Sequence, residues 1–201
     1  MKNKKIIIIG SLVFVILIFI FFMIFYLDTA KNFKIGNNIT SQELVDKILK
    51  INSYEATIEV DIKSNKNENK YVIKQKYNGT NENSQEVLEP TNIAGVKITK
   101  KENTLTIENT NLNLVSMFEN YQYLSSNQLD LNTFIEDYKN DDKSSYGETR
   151  EELVMRTTNE QKLIKSLYIN KETRKPVKME IEDANKKTAV YILYREVSVN
   201  S

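Results

Sequence analysis

The chain has 201 residues, with 28 basic and 27 acidic side chains, a net charge of +1, and neither histidine nor cysteine. Thiol catalysis, the ordinary zinc sites and disulfide cross-links are therefore excluded, and the commonest general base is missing. A nearly neutral balance leaves no electrostatic footprint for nucleic acid.

Ile6 to Leu27 is an uncharged apolar run, preceded by Lys2, Lys4 and Lys5 and by no acidic residue. A helix over it would span about 33 Å, enough to cross a hydrocarbon core of about 30 Å. Lysines on a short flank stay cytoplasmic, so residues 1–27 are expected to be a cytoplasmic stub and a single transmembrane helix, with the rest of the chain outside. A cleaved signal peptide would have a shorter apolar region and a small-residue cleavage site. Bulky Phe25, Tyr26 and Leu27 end this run instead, which favours an uncleaved anchor. Lipidation at this point would require a cysteine, and none is present.

Residues 28–39 read as a polar linker, and residues 40–201 as one domain. Thr40 with Glu43 forms a capping box, opening a helix whose apolar stripe is Leu44, Val45, Ile48 and Leu49. The helix is expected to stop near Asn52-Ser53. From Tyr54 to Lys63 apolar and polar residues alternate strictly, the period of a strand with one buried face. A polar turn at Ser64 to Asn69 leads into a returning strand, Tyr71 to Tyr77. A short strand is expected near Gln85–Leu88, ending at Pro90. Val96 and Ile98 match Leu105 and Ile107 across Lys101-Glu102-Asn103 as another hairpin.

A second helix is expected from Gln128 to Lys139, with Leu131, Phe134, Ile135 and Tyr138 on one side. Residues 140–147 are charged and loop-like. Strands follow at Glu152–Arg156, Leu163–Ile169, Val177–Ile181 and Thr188–Val199. In the last, Val190 to Tyr194 are apolar in succession, which predicts a central strand covered on both faces. The fold class is α+β: an antiparallel sheet of seven to nine strands with two helices.

Carboxylates are the remaining catalytic possibility. A glycosidase needs two at a set separation, and Asp141-Asp142, Glu151-Glu152 and Glu180 with Glu182 and Asp183 are the candidates. Each sits among lysines in patterns of solvated faces or loops, so the structural reading is preferred, and no catalytic residue is assigned. The same clusters lack a calcium-loop pattern, and neither a metal nor a cofactor is expected. Tyr71, Tyr77, Tyr121, Tyr123, Tyr168, Tyr191 and Tyr194 could line a sugar or lipid groove, but tyrosine is a good strand residue and a core role is preferred.

Four stretches taken together resemble one family. They are Ser64 to Tyr71 running into Ile73 to Tyr77; Gln85 to Pro90 followed by Asn92 to Val96; Phe134 to Tyr138; and Leu167 to Thr173 through Lys175-Pro176, then Ile181 to Asp183 and Tyr191 to Tyr194. The ordered set resembles the GerS-related germination proteins of clostridial spore formers and covers most of residues 44–200. The resemblance implies a LolA-like fold, a curved antiparallel sheet, or half-barrel, around helices. It also implies a non-enzymatic role in spore cortex maturation or germination. There the protein would bind and activate a zinc-dependent N-acetylmuramoyl-L-alanine amidase. The alternative is a LolA-like carrier or sensor that binds lipid or lipoprotein at the cell envelope. The founding type is a lipoprotein, and here the helix at 6–27 would replace the lipid. Expected partners are thus the membrane and a cortex amidase, with a homodimer left open. No partner-binding residue is assigned.

Overall fold

Strand alternation and two amphipathic helices account for almost every element of the computed structural model, which describes residues 39–64, 67–79, 82–119, 128–185 and 188–200. Helix α1 (Ser41–Leu49) opens where the capping box predicts. The Thr40 hydroxyl accepts from the Glu43 N–H, and the Glu43 carboxylate accepts from the Thr40 N–H at 2.7 Å. Both are otherwise orphan donors of a first turn. Leu44, Val45 and Ile48 are buried, so the apolar stripe packs inward.

Eleven strands follow in one antiparallel sheet: β1 (Ser53–Ser64), β2 (Glu68–Tyr77), β3 (Glu82–Glu89), β4 (Val96–Lys101), β5 (Thr104–Asn109), β6 (Leu114–Phe118), β7 (Ser145–Glu148), β8 (Glu152–Thr158), β9 (Ile164–Asn170), β10 (Pro176–Glu182) and β11 (Thr188–Asn200). Helix α2 (Leu131–Asn140) is inserted between β6 and β7. The spatial order is β6-β5-β4-β3-β2-β1-β11-β10-β9-β8-β7. Two meanders are thus joined at the β1–β11 pair, and the sheet is open and curved, with β6 and β7 as its edges. Register shifts at Thr57/Ile58, Val72/Ile73 and Pro176/Lys178 mark bulges. Bulges bend and twist the strands that carry them. Thr40–Ser201 forms one compact unit.

The period of two decides which residues meet. On the inner face, the register aligns Ile58 with Ile73 and Tyr194, Val60 with Ile192, and Met179 with Ile192 and Leu167. Helix α2 lies on this face, where the Leu131 N–H donates to the Tyr54 hydroxyl, and α1 packs beside α2. Leu131, Phe134, Ile135 and Tyr138 of α2 are buried, at about 1.5–3 kcal/mol for each large apolar side chain removed from water.

Four sequence expectations change. Among the described residues the sheet has eleven strands, not seven to nine, because β6 lacks alternation and β7 overlaps the stretch 140–147 that reads as a loop. Helix α2 begins at Leu131, not Gln128, because Asp130 has the extended backbone of an N-cap. Strand β11 is central, but among the described residues only one of its faces is covered: Tyr191 and Leu193 are 36% and 38% exposed on the outer face. Apolar succession there reflects an uncovered outer face, not a second packed layer. The core role for tyrosines holds for Tyr194, while Tyr168 and Tyr191 lie on the outer face beside Lys178 and Glu180. Tyr121 and Tyr123, and the apolar run 6–27, lie outside the described residues. Among the described residues no helix is long and apolar enough to cross a membrane.

Candidate functional site

Strand β6 is the first of three places where this fold departs from a plain packed sheet. Its sequence, Leu114-Val115-Ser116-Met117-Phe118, has no polar alternation. Pairing with β5 sets Leu114, Ser116 and Phe118 on the inner face and Val115 and Met117 on the outer. All five residues are exposed, and Leu114, Val115 and Met117 are 60–64% exposed, as is Leu112 in the turn before them. An edge strand with apolar side chains on both faces is a ready interaction surface. The turn that presents it is well held. Asn109 accepts from the N–H groups of Asn111 and Leu112, and the Asn111 amide donates to the Ala94 carbonyl at 2.7 Å.

On the outer face, a groove of about 570 Å³ is lined by Val72, Pro90, Tyr191 and Leu193 and bordered by Glu59, Asp61, Lys70 and Lys178. Arg195 forks onto Glu59, with both nitrogens 2.7 Å from the carboxylate. Beside the groove the Lys178 ammonium lies 3.9 Å from the Tyr168 ring centre and 3.0 Å from Glu180, and the Tyr168 hydroxyl donates to Glu180 at 2.8 Å.

The third place is buried and polar. Asp130, only 1% exposed, does not cap its own helix. Its carboxylate turns to the sheet and accepts from the side-chain amides of Gln75 at 3.3 Å, Asn83, and Gln85 at 2.5 Å. Burial pushes this carboxyl up to about 6, against the opposing pull of the Gln85 and Asn83 amides and of Lys165 and Lys100. Burial, with the Asp130 charge added, also raises the hydroxyls of Tyr54 and Tyr194. Further along α2, Asp137 faces the fully buried Lys165 at 2.6 Å. Burial lowers the Lys165 ammonium, and Asp137 opposes that.

The carboxylates singled out from sequence are not brought together as a catalytic pair. Asp141 ends α2, accepting from the N–H groups of Thr158 and Lys143 and the hydroxyl of Thr157, which hold it below the usual carboxylate range. Asp142 and Glu151 are exposed, and Glu152 is half-buried at the start of β8. Glu180 is taken up by Tyr168 and Lys178; like Glu182, it is half-buried and on the outer face. Among the described residues no group of acidic side chains could hold a metal ion. The Asp130 cluster escapes sequence reasoning. Its one signal is Gln75, a polar residue at a position where the alternation of β2 calls for an apolar one.

The sequence model for Sporulation protein YdcC-like matches residues 4–201. The chain belongs to this YdcC-like sporulation family. No curated protein matches it. Among solved structures, it is similar in fold to an uncharacterized conserved protein from Thermus thermophilus. Identity there is 14%, with 80% of this chain and 88% of that chain covered, at a TM-score of 0.51. Matches also include the LolA superfamily protein NE2245 from Nitrosomonas europaea (13% identity, 81% and 94% covered, TM-score 0.42). Another is GerS, in the structure of the Clostridioides difficile CwlD amidase in complex with the GerS lipoprotein (23% identity, 80% and 90% covered, TM-score 0.43).

Proposed function

We propose that this sporulation-family chain is a non-enzymatic partner protein, held at a membrane by residues 6–27, whose edge strand β6 docks a cortex N-acetylmuramoyl-L-alanine amidase. The observation that carries the docking surface is β6 itself: a terminal strand with apolar residues on both faces, all exposed. A sheet edge of this kind offers backbone hydrogen bonds and apolar contact together. The amidase is the partner class that the sequence resemblance implies. Asp141 and Glu180 are tied to structural partners, which supports a binding role over a reaction of the chain's own. The carrier reading is weaker. Part of the inner face is covered by the helices, and the outer-face groove is rimmed by charges.

The test is a binding and activity assay with the full chain in nanodiscs and the purified amidase of the same cell. The wild-type chain is expected to bind the amidase and raise its activity, and V115E/M117E to lose both while keeping its circular dichroism spectrum. A wild-type chain that neither binds nor activates would overturn the amidase assignment; full activity in V115E/M117E would overturn the surface.

A further inference from the structure

We propose that the seam between α2 and strands β2 and β3 is a pH-responsive latch: the Asp130 carboxyl, clamped among the side-chain amides of Gln75, Asn83 and Gln85, holds the start of α2 to the sheet more firmly when protonated than when ionised. The first support is position. Asp130 is the residue from which α2 departs, yet its carboxylate leaves the helix end and reaches side chains on two strands. An aspartate at this position ordinarily accepts from N–H groups of the first turn. Here it makes no such bond, and the first helical N–H, that of Leu131, goes to the Tyr54 hydroxyl.

The second support is the chemistry of the surroundings. Among the described residues the hydrogen-bond donors on the carboxylate are neutral amides, from Gln75, Asn83 and Gln85. These amides, with the charges of Lys165 and Lys100, offset only part of the cost of burying that ion. A neutral carboxyl, by contrast, has acceptors beside it. The oxygens Gln75 Oε1 and Asn83 Oδ1 are buried with no hydrogen-bond partner among the described residues, as is the Tyr194 hydroxyl. A side-chain amide can also turn over and present its oxygen in place of its nitrogen. Three amides donate to the ion, but a carboxyl that is 1% exposed loses nearly all its hydration as an ion and little as a neutral acid, and burial is the larger effect.

The third support comes from composition. The chain has no histidine, so the usual sensor of the range between pH 5 and 7 is missing. Burial moves Asp130 into that range. The charged and titratable groups facing it are Tyr54 on β1, Lys100 on β4, Lys165 on β9 and Tyr194 on β11, with Asp137 behind Lys165 on α2 itself. The two tyrosines are raised and stay neutral. Lys165 is moved down from the opposite side and is the one facing group that needs a control.

The sign follows from linkage. The folded value for Asp130 lies above the ordinary 3.8, so the folded state binds the proton more tightly than the unfolded chain. The added stability is fully present below pH 3.8, and it is lost as pH rises through about 6. Between pH 5 and pH 7 the folding equilibrium constant is expected to fall about tenfold from this group.

The experiment follows unfolding of the full chain in a mild detergent from pH 5 to pH 7, for the wild type, D130N and K165M. The expected result is a tenfold loss in the wild type, a loss that persists in K165M and a flat profile in D130N. A wild-type profile that is flat or rises with pH, or a slope that vanishes in K165M and survives in D130N, would overturn the latch. Should D130N fail to fold, the wild-type chain labelled with carboxyl-¹³C aspartate decides the matter by NMR. A buried aspartate titrating near pH 6 supports the proposal, and titration of every aspartate near pH 4 refutes it.

Discussion

Replacing Phe134 by alanine tests the division of this fold into a packed inner face and an exposed edge. Phe134 is fully buried on α2, with its ring 6.0 Å from that of Tyr138 and tilted by 35°. Truncating a buried phenylalanine costs about 3–5 kcal/mol through lost transfer energy and the cavity left behind. Because α2 and the sheet enclose the side chain, a value near 4 kcal/mol is expected. For a domain of this size, about 3 °C is lost per kcal/mol, so the melting temperature should drop by about 12 °C. The comparison is M117A on β6. Met117 is 64% exposed; with about a third of its surface covered, truncation should cost less than about 1 kcal/mol. Both variants are measured by thermal melting of the full chain in detergent, followed by far-ultraviolet circular dichroism. If M117A costs as much as F134A, β6 is part of the core, and the reasoning that makes it a docking strand fails.

Asp137→Ala strands the buried Lys165 ammonium and should cost about 3 kcal/mol or more; the double variant D137L/K165M should recover most of that loss in the same melting assay. Gly79 has φ +76°, and a Cβ there would collide with the carbonyl oxygen of Asn52, so G79A should destabilise by about 1–3 kcal/mol. Hydrogen bonds from Thr158, Lys143 and Thr157 hold Asp141 below its ordinary 3.8, so its contribution is present above that pH and is lost as pH falls through the folded value. D141N should therefore show a shallower acid transition below pH 4 in a pH titration of ellipticity.

Local pattern suffices for the elements wherever the chain alternates or caps. Tyr54 to Lys63 could only be a half-buried strand, and Thr40 with Glu43 could only open a helix, because a period of two and a capping box are properties of neighbouring residues. The sequence model of the YdcC-like sporulation family likewise matches the sequence alone. Tertiary structure decided what local pattern cannot carry. It set β1 beside β11, so that Tyr54 and Tyr194 share one face around Asp130. It left Leu114, Val115, Met117 and Phe118 uncovered at the end of the sheet, although their composition is that of a buried strand. It also placed Gln75 against an aspartate 55 residues away and Lys165 against Asp137. A buried polar side chain is tolerated only where a partner satisfies it, and that partner is chosen by strand order and helix placement, which no short window of sequence contains.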